Sequence, residues 1–245
     1  MNSKKTALVT GASRGIGEKI AEKLASSGYD LVITCHNSFG ELSNLAQKLK
    51  EKYNVICICK TVNAGKAAEV RKLFEDPFFE ERGLDVLVNN AGISYVGLMH
   101  EMEDEAWDEL IRVNLGSVFF HSKYAARLML KKHSGHIINI SSVWGNVGAS
   151  MEVAYSASKG GVNAFTKSLA KELAPSGISV NALSLGLIDT KMNSCFSKED
   201  LEAVVSEIPC DRMGSADEIA EAVYRLICMP DYLTGQIITI DGGWT

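Results

Sequence analysis

The sequence has few residues that break regular structure and no segment typical of a membrane span or a linker. Its 245 residues include four prolines, none inside a stretch that predicts a β-strand. No run of about 18 apolar residues occurs, so we expect no transmembrane helix. The first ten residues lack an apolar core and predict no signal peptide. Low-complexity tracts and repeats are also absent, and we expect one domain over residues 1–245.

An excess of positive charge is lacking too. The formal net charge is −5, whereas nucleic-acid binding needs a basic face, so we expect no nucleic-acid partner. Cys57 and Cys59 stand two apart in an apolar run, where a strand places both on one buried face. The scattered cysteines predict neither a disulfide framework nor a metal site and are typical of a reducing cytoplasm. The other four are Cys35, Cys195, Cys210 and Cys228.

Short apolar runs alternate with longer helical patterns, such as residues 16–28 and 40–53. Strands that alternate with helices predict a parallel sheet covered on both faces. We therefore expect an α/β, single-domain Rossmann fold, a doubly wound parallel sheet of about seven strands. The long stretch without a strand, about 187–235, is a candidate substrate lid. The expected strands are residues 7–10, 31–34, 55–59, 85–89, 136–140, 179–183 and 236–240.

A glycine-rich turn, TGASRGIG at residues 10–17, follows the first expected strand. Glycine lets the backbone approach a pyrophosphate, and the N–H groups and dipole of the next helix attract the anion. The spacing is G-x-x-x-G-x-G rather than G-x-G-x-x-G. The turn predicts a dinucleotide site; a plain turn between strand and helix is the alternative. The candidate contacts are Gly11, Ser13, Arg14, Gly15, Ile16 and Gly17.

The residues after the second expected strand indicate which dinucleotide binds. NAD sites usually place an acid there, where it binds the ribose hydroxyls. Residues 34–38, TCHNS, contain no acid, and Asp30 lies at the opposite end of the strand. Arg14 can pair with a 2′-phosphate, although a solvated loop cation is its alternative interpretation. We expect NADP(H), with the phosphate among Arg14, His36, Asn37 and Ser38.

Three polar residues after the fifth expected strand predict carbonyl chemistry. Tyr155 and Lys159 are four residues apart, hence on one helix face. A lysine cation within about 4–6 Å favours the phenolate and would lower the tyrosine pKa toward the working pH; the lysine can also bind the nicotinamide ribose. Ser142, at the end of a strand, can hold a substrate carbonyl. Y-x-x-x-K alone is only two residues of an amphipathic helix, but after a glycine turn and a strand-end serine it predicts catalysis.

Together these motifs resemble the short-chain dehydrogenase/reductase family over the whole chain. The resemblance implies a nicotinamide cofactor and a catalytic set of Asn114, Ser142, Tyr155 and Lys159. It also implies a homotetramer that packs through the helices around 103–132 and 153–174. The matching segments, in order, are TGASRGIG at 10–17, NNAG at 89–92, RVNLGSVF around Asn114, Ser142, YSASK at 155–159 and DGG at 241–243.

The resemblance implies further roles for single residues. Asn114 would kink its helix and hold a relay water beside Lys159. The family usually has Pro-Gly where this chain has Leu185-Gly186, and leucine does not fix φ, which implies a looser base for the lid. The implied cofactor contacts are Asn63 at the adenine, Asn90, Ala91 and Gly92 on the adenosine side, Tyr155 and Lys159 at the nicotinamide, and Ile188 and Thr190 at the carboxamide and diphosphate.

Within the family, RMGSADEIAEAV and YLTGQIITIDGG are similar to segments of the 3-oxoacyl-[acyl-carrier-protein] reductases. That likeness implies reduction of a 3-oxoacyl ketone on a carrier protein in fatty acid synthesis, with Tyr155 as proton donor and the oxyanion stabilised by Ser142 and Tyr155. Ser176 departs from the group, which often has a basic residue there. Lys131, Lys132 and His133 offer a basic patch for an acidic carrier, or else a solvated helix end.

Other substrates and classes stay open. The segment SSVWGNVGASMEVAYSASK, with Trp144 and Glu152, resembles a narrower relative that reduces an aminopentanone group on a lysine of elongation factor P. Glu152 would suit a substrate amine. Another small ketone is a third possibility. A binding module that senses NADP without turnover would need no tuned phenol, and a structural assembly protein would have no use for the glycine turn.

Overall fold

Seven parallel strands form one sheet in the computed structural model, which describes residues 4–193 and 196–245. Their order across the sheet is β3-β2-β1-β4-β5-β6-β7, and helices cover both faces. The predicted α/β Rossmann fold is confirmed. The strands are β1 Thr6–Val9, β2 Asp30–Cys35, β3 Cys57–Thr61, β4 Val86–Asn89, β5 Gly135–Ser142, β6 Ile178–Leu185 and β7 Ile237–Ile240.

The helices confirm the two patterns expected at 16–28 and 40–53, which become α1 and α2. A π-helical turn, Arg112–Gly116, joins α5 to α6 without a break in the helix. None of the helices in the described ranges has the length and apolar character needed to cross a membrane. The helices are α1 Gly15–Ser26, α2 Phe39–Tyr53, α3 Ala67–Phe74, α4 Pro77–Arg82, α5 Asp104–Ile111, α6 Ser117–Leu130, α7 Trp144–Val147, α8 Val153–Leu173, α9 Lys198–Glu207 and α10 Ala216–Ile227.

Two apolar clusters hold the helices to the sheet. Alternate residues of a strand point to opposite faces, so in β1 Ala7 and Val9 join one cluster and Leu8 joins the other. The first cluster contains apolar residues of α1, α2 and α10, and the second contains residues of α3, α4, α6 and α8. A strand buried on both faces needs a continuous apolar run, which is why the runs ALV in β1 and LVI in β2 predict strands.

Strand β3 begins two residues later than the sequence pattern predicts. The carboxylate of Asp30 accepts a hydrogen bond from the Ile56 N–H (2.8 Å), and pairing with β2 begins at Cys57, opposite Leu31. Cys57 is buried and Cys59 is half-buried against the same cluster, as expected for one strand face. Cys35, Cys57, Cys59, Cys210 and Cys228 are free thiols, and Cys195 lies outside the described residues.

The strand order places a crevice at the carboxyl edge of the sheet. Successive connections run outward from β1 to β3 and then return to β4 on the other side of β1. Ligands of open α/β sheets bind at such a reversal. The long connection after β6 contains α9 and α10, and the Asp189 and Gly214 N–H groups donate to the carbonyl oxygens of Gly214 and Leu187 (2.8 and 2.9 Å). The candidate lid therefore begins on a fixed base.

Candidate active site

The glycine turn between β1 and α1 is too crowded for side chains at two positions. Gly11 adopts φ +65°, and a Cβ on it would lie 2.9 Å from the Ala91 Cα. A Cβ on Gly17 would lie 2.3 Å from the Gly11 carbonyl oxygen. Gly15 also has a positive φ, +59°, and faces Thr190. The turn can therefore bring bare backbone and the amino end of α1 against an anion.

Asn90, the residue after β4, holds this turn through hydrogen bonds. Its Nδ2 donates to the carbonyl oxygens of Thr10 and Gly11, both at 3.0 Å. The Thr10 hydroxyl oxygen accepts from the N–H groups of Asn90 and Ala91, also at 3.0 Å. The family resemblance implied an adenosine-side role for this segment, whereas these contacts show that it also fixes the shape of the turn.

The residues expected around a 2′-phosphate lie at the ends of adjacent strands. Arg14 is exposed at the N-cap of α1, while His36 and Asn37 are exposed after β2 and Ser38 is the N-cap of α2. The Ala12 N–H donates to the Thr34 carbonyl oxygen (2.9 Å) and so ties the glycine turn to the end of β2. The four residues thus share one solvent-facing corner of the sheet.

An acid lies near this corner that the sequence interpretation missed. The Asn63 N–H donates to Glu69, on α3 (2.7 Å), and is the main cause that lowers the pKa of this carboxyl; the nearby His36 adds to the lowering. Lys66 lies 3.4 Å from the other oxygen of Glu69. Because both oxygens have donors, the carboxylate is already committed within the protein. Asn63 itself accepts a hydrogen bond from the Gly65 N–H (3.0 Å).

Ser142, Tyr155 and Lys159 meet in one cavity of about 520 Å³ at the carboxyl edge. Ser142 ends β5, and the other two lie one turn apart near the start of α8. The Ser142 hydroxyl is close enough to the Tyr155 phenol for hydrogen bonding to lower the pKa of the phenol, against the larger effect of burial. The Lys159 Nζ lies 5.5 Å from the centre of the Tyr155 ring and donates to the Ile140 carbonyl oxygen (2.9 Å). The three predicted side chains are therefore together, beside the glycine turn.

The expected lowering of the tyrosine pKa is wrong for the protein alone. Burial raises the pKa of Tyr155 to about 12, the charge of Glu152 adds to the rise, and the hydrogen bond with Ser142 opposes it. Burial also lowers the pKa of Lys159 to about 8. Desolvation thus outweighs charge attraction, because the lysine donates into the backbone of β5 rather than toward the phenol. At neutral pH the phenol keeps its proton.

Asn114 lies on the π-helical turn between α5 and α6, which matches the helix irregularity that the resemblance implied. Its amide exchanges two hydrogen bonds with the backbone of Ile93 (2.8 and 2.9 Å) and donates to the Ser158 hydroxyl (3.1 Å). A Cβ on Gly92 would lie 3.3 Å from the Asn114 Oδ1 and 3.7 Å from the Lys159 Nζ. Asn114 and Lys159 are therefore neighbours across Gly92.

A buried polar network, not anticipated from the sequence, fixes α8 on the sheet. Asn139 of β5 accepts from the Asn89 amide (2.8 Å) and donates to the Thr166 hydroxyl of α8 (2.8 Å). Ser141 donates to Asn163 (2.6 Å). Asn139 and Ser141 interrupt the apolar run of β5, and that interruption is the signal that would have revealed the network. The network sets the height of Tyr155 and Lys159 above β5.

Ile188 and Thr190 line the same cavity as the catalytic candidates, at the start of the lid connection. The Asn193 amide donates to the Ile188 carbonyl oxygen (2.7 Å). In place of the family's proline, Leu185 extends β6 and pairs with Ile240. The Gly186 N–H then donates to the Ile240 carbonyl oxygen (3.0 Å). Strand pairing thus fixes the backbone at the base of the lid, at the position where the resemblance implies a proline with a fixed φ.

The basic patch expected near the entrance lies at the other edge of the sheet. Lys131, Lys132 and His133 follow α6 and precede β5, and Ser176 precedes β6, so all four are at the amino ends of strands. Lys132 forms an ion pair with Asp85. An αβ connection and a βα connection necessarily lie at opposite edges of a parallel sheet. Within one chain this patch cannot border the cavity that holds Tyr155.

Two carboxylates and two indoles form the cavity wall over β5 to β7. Glu152, just before α8, accepts a hydrogen bond from the Trp144 indole (3.0 Å). Glu207, the last residue of α9, accepts from the Trp244 indole (3.3 Å). Burial raises the pKa of Glu152. All four residues line the cavity, and Lys159 is the one basic residue among its described lining residues.

A family model described as short chain dehydrogenase matches residues 5–201. The chain belongs to the short-chain dehydrogenase family. It is therefore an oxidoreductase that acts on alcohol or carbonyl groups with a nicotinamide cofactor. The crevice, the glycine turn and the serine, tyrosine and lysine agree with this membership.

Relatives within the short-chain dehydrogenase family align along nearly the whole chain. A 3-oxoacyl-[acyl-carrier-protein] reductase FabG of Aquifex aeolicus is 41% identical over 98% of this chain and 96% of its own length. FabG of Staphylococcus aureus is 40% identical over 99% of both chains. An uncharacterized oxidoreductase of Bacillus subtilis, YmfI, is 37% identical over 98% of both. The similarity thus includes the lid connection and the last strand.

Proposed function

We propose that this chain reduces the 3-oxo group of acyl chains carried on an acyl carrier protein, with NADPH as the hydride donor. The observation that carries the proposal is the meeting of Ser142, Tyr155 and Lys159 in one cavity beside the glycine turn. Support for the substrate class comes from relatives at about 40% identity that are named for this reaction. We further propose that residues 1–245 act as one unit in the cytoplasm.

The residues of the crevice fit a nicotinamide dinucleotide. Where the diphosphate would lie, side chains are absent at Gly11 and Gly17, and the amino end of α1 offers N–H donors. Ser13, Gly15 and Ile16 would continue this contact, with Thr190 opposite. Asn63 would hold the adenine, Asn90, Ala91 and Gly92 the adenosine side, and Ile188 the carboxamide.

The choice of NADPH over NADH rests on charge. Arg14 provides a cation at the corner after β2, and His36, Asn37 and Ser38 provide hydrogen-bond donors there. Asp30, the acid of β2, is bound to Arg82 (3.0 Å) at the opposite edge of the sheet. Glu69 is held by the Asn63 N–H and Lys66. A 2′-phosphate would therefore meet donors, whereas a ribose hydroxyl would meet no free carboxylate from β2.

In the proposed reaction, Ser142 and Tyr155 hold the ketone oxygen. When bound, the dihydronicotinamide supplies a hydride to the carbonyl carbon. As that carbon is reduced, the electron pair of the C=O π bond moves to oxygen, which takes the proton of Tyr155 and leaves a phenolate. The raised pKa of Tyr155 keeps this proton in place until the alkoxide forms. The hydroxyl of Ser142 stabilises the developing oxyanion, and Lys159, with Asn114 beside it, stabilises the phenolate that remains.

The test is NADPH oxidation with a short 3-oxoacyl thioester on acyl carrier protein, followed at the nicotinamide absorbance. We expect turnover that saturates with the carrier-bound substrate and is much weaker with NADH. Tight NADPH binding with no oxidation by any ketone would instead favour a non-catalytic NADP-binding module and would contradict the proposal.

A second substrate is favoured by the acidic wall of the cavity. Glu152 and Glu207 give the substrate side two carboxylates, and the basic patch lies at the other edge of the sheet. A carboxylate near an apolar wall suits an ammonium group, such as that of a 5-aminopentanone group on a lysine of elongation factor P. Assaying both carrier-bound and aminopentanone-bearing proteins side by side separates the two: a preference for the aminoketone that Glu152→Gln abolishes would support the second.

We also propose a homotetramer. Apolar side chains are exposed on α5, α6 and α8, which the family resemblance assigns to an interface. Trp107, Phe119 and Val153 are 42%, 46% and 48% exposed, and such side chains in contiguous patches mark interaction surfaces. Light scattering after gel filtration tests this; a monomeric mass at micromolar concentration would contradict it.

A further inference from the structure

Two indole rings pack against each other over the part of the cavity that lies away from the glycine turn. Trp144 follows β5 and Trp244 follows β7, both on the far side of β4 from the dinucleotide strands β1 and β2. Their ring centroids are 4.8 Å apart, with the planes at 62°. This edge-to-face arrangement is favourable for aromatic pairs. The pair lines the cavity that holds Ser142 and Tyr155.

Trp244 is held in this position from two sides. Its Nε1 donates to Glu207 at the end of α9 (3.3 Å). The segment that carries it is turned by Asp241, whose carboxylate accepts hydrogen bonds from the N–H groups of Gly243 (2.9 Å) and Thr245 (2.8 Å). Gly243 has φ +87°, a conformation that glycine adopts without strain. The indole is therefore a placed part of the wall.

Trp144 is held independently, from the catalytic side. Its Nε1 donates to Glu152 (3.0 Å), and its backbone N–H donates to the Ser142 hydroxyl oxygen (3.3 Å). The N–H group of each indole thus donates to a carboxylate, and the faces and edges of both rings remain available for apolar contact. A chain that pushed between them would break the ring contact and strain both hydrogen bonds.

We propose that Trp244 is a specificity-determining residue, which with Trp144 forms a wall that limits the length of the straight chain attached to the ketone. The inference rests on the proposed reduction of 3-oxoacyl groups and narrows it to short chains. A short chain leaves the indole pair in place. A longer chain must displace Trp244, since Trp144 is tied to Ser142 and Glu152 beside the reacting carbonyl.

The experiment compares kcat/KM for four-carbon and eight-carbon 3-oxoacyl N-acetylcysteamine thioesters with NADPH. In Trp244→Ala we expect the ratio of eight-carbon to four-carbon activity to rise at least about tenfold, equal to ~1.4 kcal/mol. Trp244→Phe is the matched control, because it keeps an aromatic ring in the wall while it loses the hydrogen bond to Glu207 and part of the indole's width. Its ratio should lie closer to the wild type than to Trp244→Ala, because an aromatic ring still closes the wall.

A second pair of variants tests whether the hydrogen bond to Glu207 is needed to hold Trp244 in the wall. Glu207→Gln keeps an acceptor for the indole N–H and should keep the wild-type ratio, whereas Glu207→Ala should raise the ratio in the direction of Trp244→Ala. Thermal melting and NADPH titration of each variant show whether it is folded. An unchanged ratio in a folded, NADPH-binding Trp244→Ala protein would overturn the inference.

The limit on chain length can be tested even if the proposed substrate class is wrong. If wild type oxidises no NADPH with either thioester or with the carrier-bound substrate, the 3-oxoacyl proposal is wrong, and the wall is then measured by calorimetric binding of pentan-2-one and undecan-2-one to the protein with NADP⁺. The expected result is the same: Trp244→Ala gains affinity for the longer ketone relative to the shorter one. Equal changes for both ketones would contradict the wall.

Discussion

The Lys159 ammonium donates to the Ile140 carbonyl oxygen at 2.9 Å, while it lies 5.5 Å from the centre of the Tyr155 ring. The lysine charge is thus drawn toward the backbone of β5 in the protein alone, and burial decides the pKa of the phenol. A phenol with a raised pKa is a stable proton store, which suits a reductase.

Replacing Tyr155 with Phe removes the proposed proton donor and leaves the ring in place. We expect kcat to fall roughly 10²- to 10⁴-fold, the usual contribution of general acid catalysis. NADPH affinity, measured by fluorescence titration, should change little. Tyr232→Phe is the control, because Tyr232 is fully exposed and should leave both quantities as in wild type. Substantial turnover by Tyr155→Phe would refute the assignment.

Arg14→Ala tests the 2′-phosphate contact. Loss of a charge-assisted hydrogen bond costs about 1.5–3 kcal/mol, so the KM for NADPH should rise roughly 10- to 100-fold. The KM for NADH should change much less, since NADH has no phosphate at that corner. Arg71→Ala, which removes an exposed arginine of α3 that pairs with Glu75, should affect neither. Equal losses for the two dinucleotides would contradict the NADPH preference.

His121 makes stability depend on pH. It is fully buried on α6, its Nδ1 bonds the Ser117 carbonyl oxygen (2.8 Å), and burial lowers its pKa to about 4. Between pH 6.5 and 4 the unfolded chain binds a proton that the native state does not, so this residue makes the native state less stable as pH falls. The maximum slope is about 1.4 kcal/mol per pH unit.

Urea unfolding of wild type and His121→Leu at several pH values between 4.5 and 7 measures this slope. The variant should lose that part of the pH dependence, even if it is less stable at pH 7. His100→Gln, a substitution at an exposed position, should keep the wild-type dependence of stability on pH. A variant curve parallel to wild type would mean that His121 takes up its proton within the folded protein.

Gly17→Ala tests the close approach within the glycine turn. Alanine normally stabilises a helix more than glycine does. A Cβ at position 17, however, would lie 2.3 Å from the Gly11 carbonyl oxygen. We expect a loss of about 1–3 kcal/mol of stability, as for other overpacked sites, together with loss of dinucleotide binding. Gly40→Ala in α2 meets nothing within 4 Å and should stabilise the protein by about 0.5–1 kcal/mol. Chemical denaturation measures both.

The sequence predicted the strands and the glycine turn well because both depend on local patterns. An apolar run such as that of β2 is required wherever both faces of a strand are covered. The start of β3 was misplaced because it depends on a long-range contact, the hydrogen bond from the Ile56 N–H to Asp30. The hydrophobic periodicity of a segment carries no information about a hydrogen-bond partner that is 26 residues away in the sequence.

Charge at the site was harder to predict than geometry. Tyr155 and Lys159 lie where their spacing placed them, but the pKa of the phenol rises rather than falls, since desolvation depends on all the surrounding atoms. Glu69 reaches the corner beside His36 from a different helix. Lys132, expected near an entrance, pairs with Asp85 at the amino edge. Each of these depends on which segments the fold brings together.

The π-helical turn at Arg112–Gly116 imposes a length requirement on the chain. A π turn holds one residue more than an α turn, and that extra residue sets the rotation of α6 relative to α5. Deleting a single residue there would restore regular helix and turn everything after it by about 100°. Asn114 would then leave Ile93 and Ser158, or the apolar face of α6 would leave the sheet. The rotation of α6 about its axis is therefore coupled to the position of Asn114 at the catalytic cavity. Insertions and deletions in this turn are excluded more strictly than substitutions.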